Sequence, residues 1–168
     1  MKFRPLPALL LSVIAAAGAP GRAETPPAAA PGNPHELTIV VVESIGHDPS
    51  RTNFDRIDSA FTKVFNKRKW PLTIKVERFA ANAPAYENEL RVFYKGTYSE
   101  MPGDLTFHAW VTFEGRGEKR DFGMIKYRYY PRPGQSTEDV LDAIFRGGAA
   151  LAADKLEAVL FPKDGAKP

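Results

Sequence analysis

The sequence contains no cysteine among its 168 residues. That excludes disulfides, a thiol nucleophile, thiolate-ligated zinc and the lipid-modified cysteine of a bacterial lipoprotein. A domain without such staples depends on its core, and about 125 ordered residues can bury enough surface for that. No asparagine is followed two places on by serine or threonine, so no glycosylation sequon occurs. No stretch reaches the 18 or so uninterrupted apolar residues of a membrane-spanning helix, so no transmembrane segment is expected. Enzyme signatures are missing as well. There is no Gly-x-Ser-x-Gly elbow, no phosphate-binding Walker loop and no dinucleotide fingerprint; Gly115-Arg116-Gly117 reads as a hairpin turn. No cofactor is implied.

The charge needs locating before it is interpreted. The chain carries 23 basic and 20 acidic side chains, a formal excess of +3. Lys2, Arg4 and Arg22 lie in the first 23 residues, which hold no acid; removing these three leaves 20 basic against 20 acidic. The basicity belongs to the leader, and the argument for a nucleic-acid partner goes with it.

Residues 1–23 read as a secretory signal peptide. Lys2 and Arg4 form the positive start, Leu6 to Ala17 the apolar stretch, and Gly21-Arg22-Ala23 the small-x-small cleavage site. A periplasmic or secreted product is expected. Residues 24–35 (ETPPAAAPGNPH) form a Pro/Ala-rich linker, and residues 162–168 are expected to be a flexible tail.

Between them, residues 36–161 read as one α+β domain. Leu37 to Ile45 is β-branched and apolar on both alternation sets, as in a strand covered on both faces. Residues 52–69 carry a helical stripe of Phe54, Ile57, Phe61, Val64 and Phe65, capped by Thr52 or Asn53. A strand follows over 72–79, with Leu72, Ile74 and Val76 inward. Three further strands form a meander, with turns at Glu100-Met101-Pro102-Gly103 and Arg116-Gly117-Glu118. The last helix starts at the capping-box-like Ser136-Thr137-Glu138-Asp139 and runs to about Phe161. Its expected buried stripe is Leu141, Phe145, Gly148, Ala152, Leu156 and Val159. Gly147-Gly148 within it costs roughly 1 kcal/mol per glycine against alanine, and marks either a hinge or a close approach. The order is β-α-β-β-β-β-α: a five-stranded, mixed, mostly antiparallel sheet with two helices and one parallel crossover. This layout resembles periplasmic recruitment modules such as the TolB amino-terminal domain and the LptE-type assembly proteins. The resemblance is one of element order over residues 36–161 and carries no residue-level motif.

Two places could carry function. His47 and Asp48 lie in the first strand-to-helix loop, upstream of Asp55 and Asp58, where a small hydrolase or metal-dependent enzyme would place its site. Asp48 before Pro49 also suits a turn, and Asp55 and Asp58 suit the start of a helix. The meander gives the second. Pairing Ser99 with Asp104 sets Tyr98 opposite Leu105, Tyr94 opposite Ala109, Val92 opposite Val111 and Leu90 opposite Phe113, an apolar core face. Gly115 opposite Lys119 brings Gly123, Ile125, Tyr127 and Tyr129 to the same side. The other face then carries the apolar row Phe93, Trp110 and Met124. Lys95, His108 and Lys126 flank it, with Thr97, Thr106 and Arg128 next, and Arg91, Thr112 and Phe122 on the far side. Such a row is a recognition surface, or core beneath a helix or the linker, or a homodimer contact. Basic residues also cluster over 63–78 and 116–132, which suits an anionic envelope polymer or acidic protein face as readily as a solvated surface. The expectation is a non-enzymatic periplasmic binding or assembly module that engages an envelope protein or polymer through this aromatic and basic face.

Overall fold

A computed structural model describes residues 35–43 and 54–162. The signal peptide, nearly all of the linker, the His47-Asp48 loop, Thr52, Asn53 and the tail beyond Pro162 lie outside the described residues.

The elements follow the expected order: β1 (Glu36–Glu43), α1 (Phe54–Lys67), β2 (Thr73–Arg78), β3 (Asn88–Tyr98), β4 (Leu105–Gly115), β5 (Glu118–Tyr129) and α2 (Thr137–Leu160). The strands form one mixed sheet in the order β2-β1-β3-β4-β5. β1 is central and parallel to both β2 and β3, while β3-β4 and β4-β5 are antiparallel. The parallel share is therefore larger than the sequence reading has it. Only the crossover through α1 was expected to be parallel, and the return from β2 to β3 adds a second parallel pair. Leu37 to Val41 are all buried, as expected of a strand covered on both faces.

Both helices lie on one face. Leu37, Ile39 and Val41 of β1, Leu90, Val92 and Tyr94 of β3, and Phe107, Ala109, Val111 and Phe113 of β4 meet Ile57, Phe61 and Phe65 of α1 and Ile144, Phe145 and Leu156 of α2 in one core. Ser136 caps α2, its hydroxyl accepting from the Asp139 backbone N–H at 3.1 Å. Of the expected α2 stripe, Phe145, Gly148, Ala152 and Leu156 are buried. Val140, Ile144, Ala149, Ala153 and Leu160 are buried, while Leu141 and Val159 are only partly so. Arg68, in the turn just after α1, pairs with Asp154 and, at 3.0 Å, with Glu157, clamping the helices together.

Gly147 and Gly148 sit where α2 meets the meander. A Cβ on Gly148 would lie 2.4 Å from the Phe107 ring, and one on Gly147 would lie 2.1 Å from the Tyr127 ring. Close packing, not a hinge, accounts for both.

Candidate functional site

Among the described residues, no helix lies on the second face of the sheet. The segment after β2 covers part of it. Phe79, Ala83, Pro84 and Tyr86 line a 330 Å³ groove together with Val40, and this cover buries β1 on its second side. The Tyr86 hydroxyl donates to Glu77, which pushes the Tyr86 pKa up to about 12.

Beyond that cover no described element lies over the meander face. Val42 stands opposite Phe93, Phe93 opposite Trp110, and Trp110 opposite Met124, so four side chains cross four strands in one row. Trp110 is 39% exposed and Met124 41%, and Phe93 is half-buried. The three row residues read from the sequence are thus brought together.

The flanks differ from expectation because two glycines bend the ladder. Tyr94 opposes Ala109, but Gly96 opposes His108, so Lys95 is an extra residue bulged out of β3. Gly96, at φ 138°, supplies a backbone that L side chains rarely adopt. The bulge inverts the alternation. Tyr98 opposes Thr106, not Leu105, and moves from the core face to the open face, where it stacks on His108 with ring centroids 4.0 Å apart. His108 is therefore not an open flanking cation; it is 1% exposed beneath Tyr98. A glycine inside a strand pattern was the available signal.

The second hairpin has a matching irregularity. Arg116 and Gly117 both take positive φ, a mirror-image two-residue turn that sets Gly115 opposite Glu118, not Lys119. A second bulge follows. Asp121 opposes Thr112 and accepts from the Gly123 N–H at 2.8 Å, while Gly123 opposes Val111 and leaves Phe122 extra. Phe122 packs against the core cluster instead of lying on the far side of the open face. The turn and the bulge offset one another, so Met124, Lys126 and Arg128 stand opposite Trp110, His108 and Thr106 as expected.

An ion-paired network closes one end of the row. Glu100, in the β3-β4 turn, accepts from Lys126 at 2.6 Å and from Arg128 at 3.0 Å, and its Oε1 lies 3.5 Å from His108 Nε2. Asp104 is fully covered; it accepts from the Glu100 and Met101 N–H groups at 2.9 and 3.0 Å and pairs with Arg128 Nε at 2.9 Å. Lys126 and then Arg128 hold the Glu100 carboxyl below its ordinary range, and the Met101 N–H heads the causes that lower Asp104. Burial pushes the His108 imidazole down, against the pull of Glu100.

At the other end of the row the charges are also paired. Arg91 meets Glu89 at 2.5 Å, Lys119 meets Glu114 at 3.0 Å and Lys75 meets Glu77 at 2.6 Å, while Arg120, opposite Phe113 on the core side of the sheet, meets Glu118 at 3.2 Å. Most cations of the two basic clusters thus have acidic partners, and Lys95 stands exposed on its bulge. Among the described residues, no three His, Asp or Glu side chains are grouped so as to hold a metal ion. No helix among them is long and apolar enough to cross a membrane.

No protein-family model matches the sequence, and neither does any curated protein. Among solved structures, the PelC dodecamer of Paraburkholderia phytofirmans shares 7% identity, covering 75% of this chain and 93% of that one, at a TM-score of 0.41. The minor lipoprotein of Acinetobacter baumannii shares 14% identity over 75% of this chain and 96% of that one, at 0.34. Rare lipoprotein B of Shewanella oneidensis shares 14% over 73% and 92%, at 0.29.

Proposed function

We propose that this chain is a non-enzymatic binding module of the periplasm that docks an envelope partner on the open face of its meander. One observation carries the reading: an apolar row crosses four strands uncovered, between two ends whose charges are largely neutralised in pairs. A face of this kind suits a protein segment better than a polyanion. Displacing Glu100 or Glu114 to free a lysine would cost an anion much of what it gained, because paired cations release few counterions. Aromatic and methionine side chains at the centre of a patch, ringed by polar groups, are the composition of a protein interface core. Placement in the periplasm rests on the leader, with its positive start, apolar stretch and Gly21-Arg22-Ala23 site.

Site-specific photo-crosslinking in cells tests this. A crosslinking side chain at Met124 should give a discrete adduct, whereas one at Lys155, an exposed position on α2, should not. Absence of an adduct at Met124, or the same adduct at both positions, refutes the reading.

A further inference from the structure

We infer that the row docks one amphipathic α-helix of a partner protein, laid across the strands. The inference rests on the open-face reading and names the form of what that face takes. The row extends further than its four paired side chains. Arg78 ends β2 opposite Val41, and the next residue, Phe79, donates its N–H to the Val41 carbonyl at 2.8 Å. Phe79 thus stands level with Val42, and it is 47% exposed. Phe79, Val42, Phe93, Trp110 and Met124 therefore form one apolar line from the end of β2 to β5.

The direction of this line selects the occupant. Its members are spaced by the gap between strands, about 4.8 Å. A helix returns to one face every turn, about 5.4 Å. An extended chain does so every ~6.7 Å and a polyproline helix every ~9 Å. Only the helix keeps step over the four gaps, which span about 19 Å or roughly 13 helical residues. A segment running along the strands would instead leave the apolar line and lie on ion pairs.

Width and charge agree. Lys126 and Asp121 flank the line on its two sides, level with His108 and Thr112, whose positions on β4 lie about 13 Å apart. A helix with its side chains is about 10–12 Å across. Tyr98, stacked on His108, walls one side. On the other, the 330 Å³ groove continues into a second of 260 Å³; Glu89, Arg91 and Glu114 line both, so this trough also runs crosswise, from Pro84 to Asp121. On the Tyr98 side, Lys95, Lys126 and Arg128 outnumber Glu100 and Asp104 by one. On the trough side, Glu89, Glu114 and Asp121 outnumber Arg91 and Lys119 by one. The complementary helix carries an apolar stripe at 3–4 spacing, acidic side chains towards Tyr98 and basic ones towards the trough.

Crosslink spacing tests this. A photo-crosslinking side chain is placed in the exported chain at Phe79, Trp110 or Met124 in turn, and the adduct positions on the partner are mapped by mass spectrometry. On a helix, the Met124 and Phe79 adducts lie about 13 residues apart, with the Trp110 adduct about 3 from that of Met124; on an extended segment the whole span is about 6. A synthetic peptide of the mapped segment should bind the purified chain. Trp110 and Trp70 are the only two tryptophans, so Trp110 emission in a Trp70→Phe chain reads this binding. A proline at the centre of the peptide should weaken it about tenfold or more. A span near 6 residues, adducts without fixed spacing, or equal binding of the proline peptide overturns the inference and leaves the open face standing. Adducts to lipid or to a second copy of this chain overturn it as well. Absence of an adduct at Met124 overturns the inference and the open-face reading together.

Discussion

Gly148→Ala is the sharpest test of how the sheet and helix meet. In an ordinary helix interior the change stabilises by about 1 kcal/mol, because alanine has less backbone freedom to lose. Here the added methyl would sit 2.4, 2.6 and 2.9 Å from three atoms of the Phe107 ring. Phe107 is 1% exposed and held between Tyr94, at 5.5 Å between centroids, and Phe145, at 5.8 Å. It cannot swing aside, so helix and sheet must part by about 1 Å, and overpacking of this kind costs about 1–3 kcal/mol or more. The clash therefore wins, and a net loss of about 1–2 kcal/mol is expected. Gly147→Ala makes an even shorter contact, 2.1 Å, but with Tyr127, which is only half-buried and can rotate outwards. Its cost should be smaller. Urea melts followed by circular dichroism, with equal slopes, measure both. A Gly148→Ala chain as stable as the parent, or more so, would refute the close-packing account and restore the hinge.

Four further outcomes are expected. Phe61 is fully buried, so Phe61→Ala should cost about 3–5 kcal/mol. Trp110→Ala, which loses only its cross-strand pairs with Phe93 and Met124, should cost about 1–2 kcal/mol in the same melts; equal costs would mean that the row is core. Because burial lowers the His108 pKa beneath its ordinary 6.5, the fold prefers the neutral ring, and stability should be full above that value and fall as pH drops through it. Glu100 and Asp104 act only at more acid pH, so a His108→Gln chain should lose much less between about pH 7 and 5 than the parent, and an equal loss would exonerate His108. Intact mass of the exported chain should correspond to a first residue of Glu24, and a retained leader would remove the periplasmic assignment.

The elements were legible because their signals are local. Five consecutive buried residues in β1, the Phe61 and Phe65 stripe of α1 and the Ser136 cap each follow from a short stretch of chain. The row was read correctly as well, but only because in each hairpin the turn register and a one-residue bulge, at Lys95 and at Phe122, offset one another and restore the pairing of Trp110 with Phe93 and Met124. What was not legible is non-local or depends on one extra residue. The bulge at Lys95 reverses every side chain after it, which hid both the stacking of Tyr98 on His108 and the burial of His108. The parallel pairing of β1 with β3, and the cover of Val40 by the segment after β2, are set by where the chain returns, which no window of sequence records.

Among the described elements, the open row is a consequence of topology. A parallel connection needs a crossover, and α1 is consumed in joining β1 to β2 on one face. The three strands that follow are joined by hairpins, which require no helix, so no described element is carried to their second face. α2 then packs on β4, β5 and α1 because that face already holds the large apolar side chains, Phe107 and Ile125 among them. A chain with five strands and two helices so arranged must cover its second face with polar side chains or with something else. Over most of this face it uses paired charges, and over β1 it uses the segment containing Phe79 and Tyr86. At Phe93, Trp110 and Met124, with Tyr98 to one side, it places large apolar side chains that no described element covers.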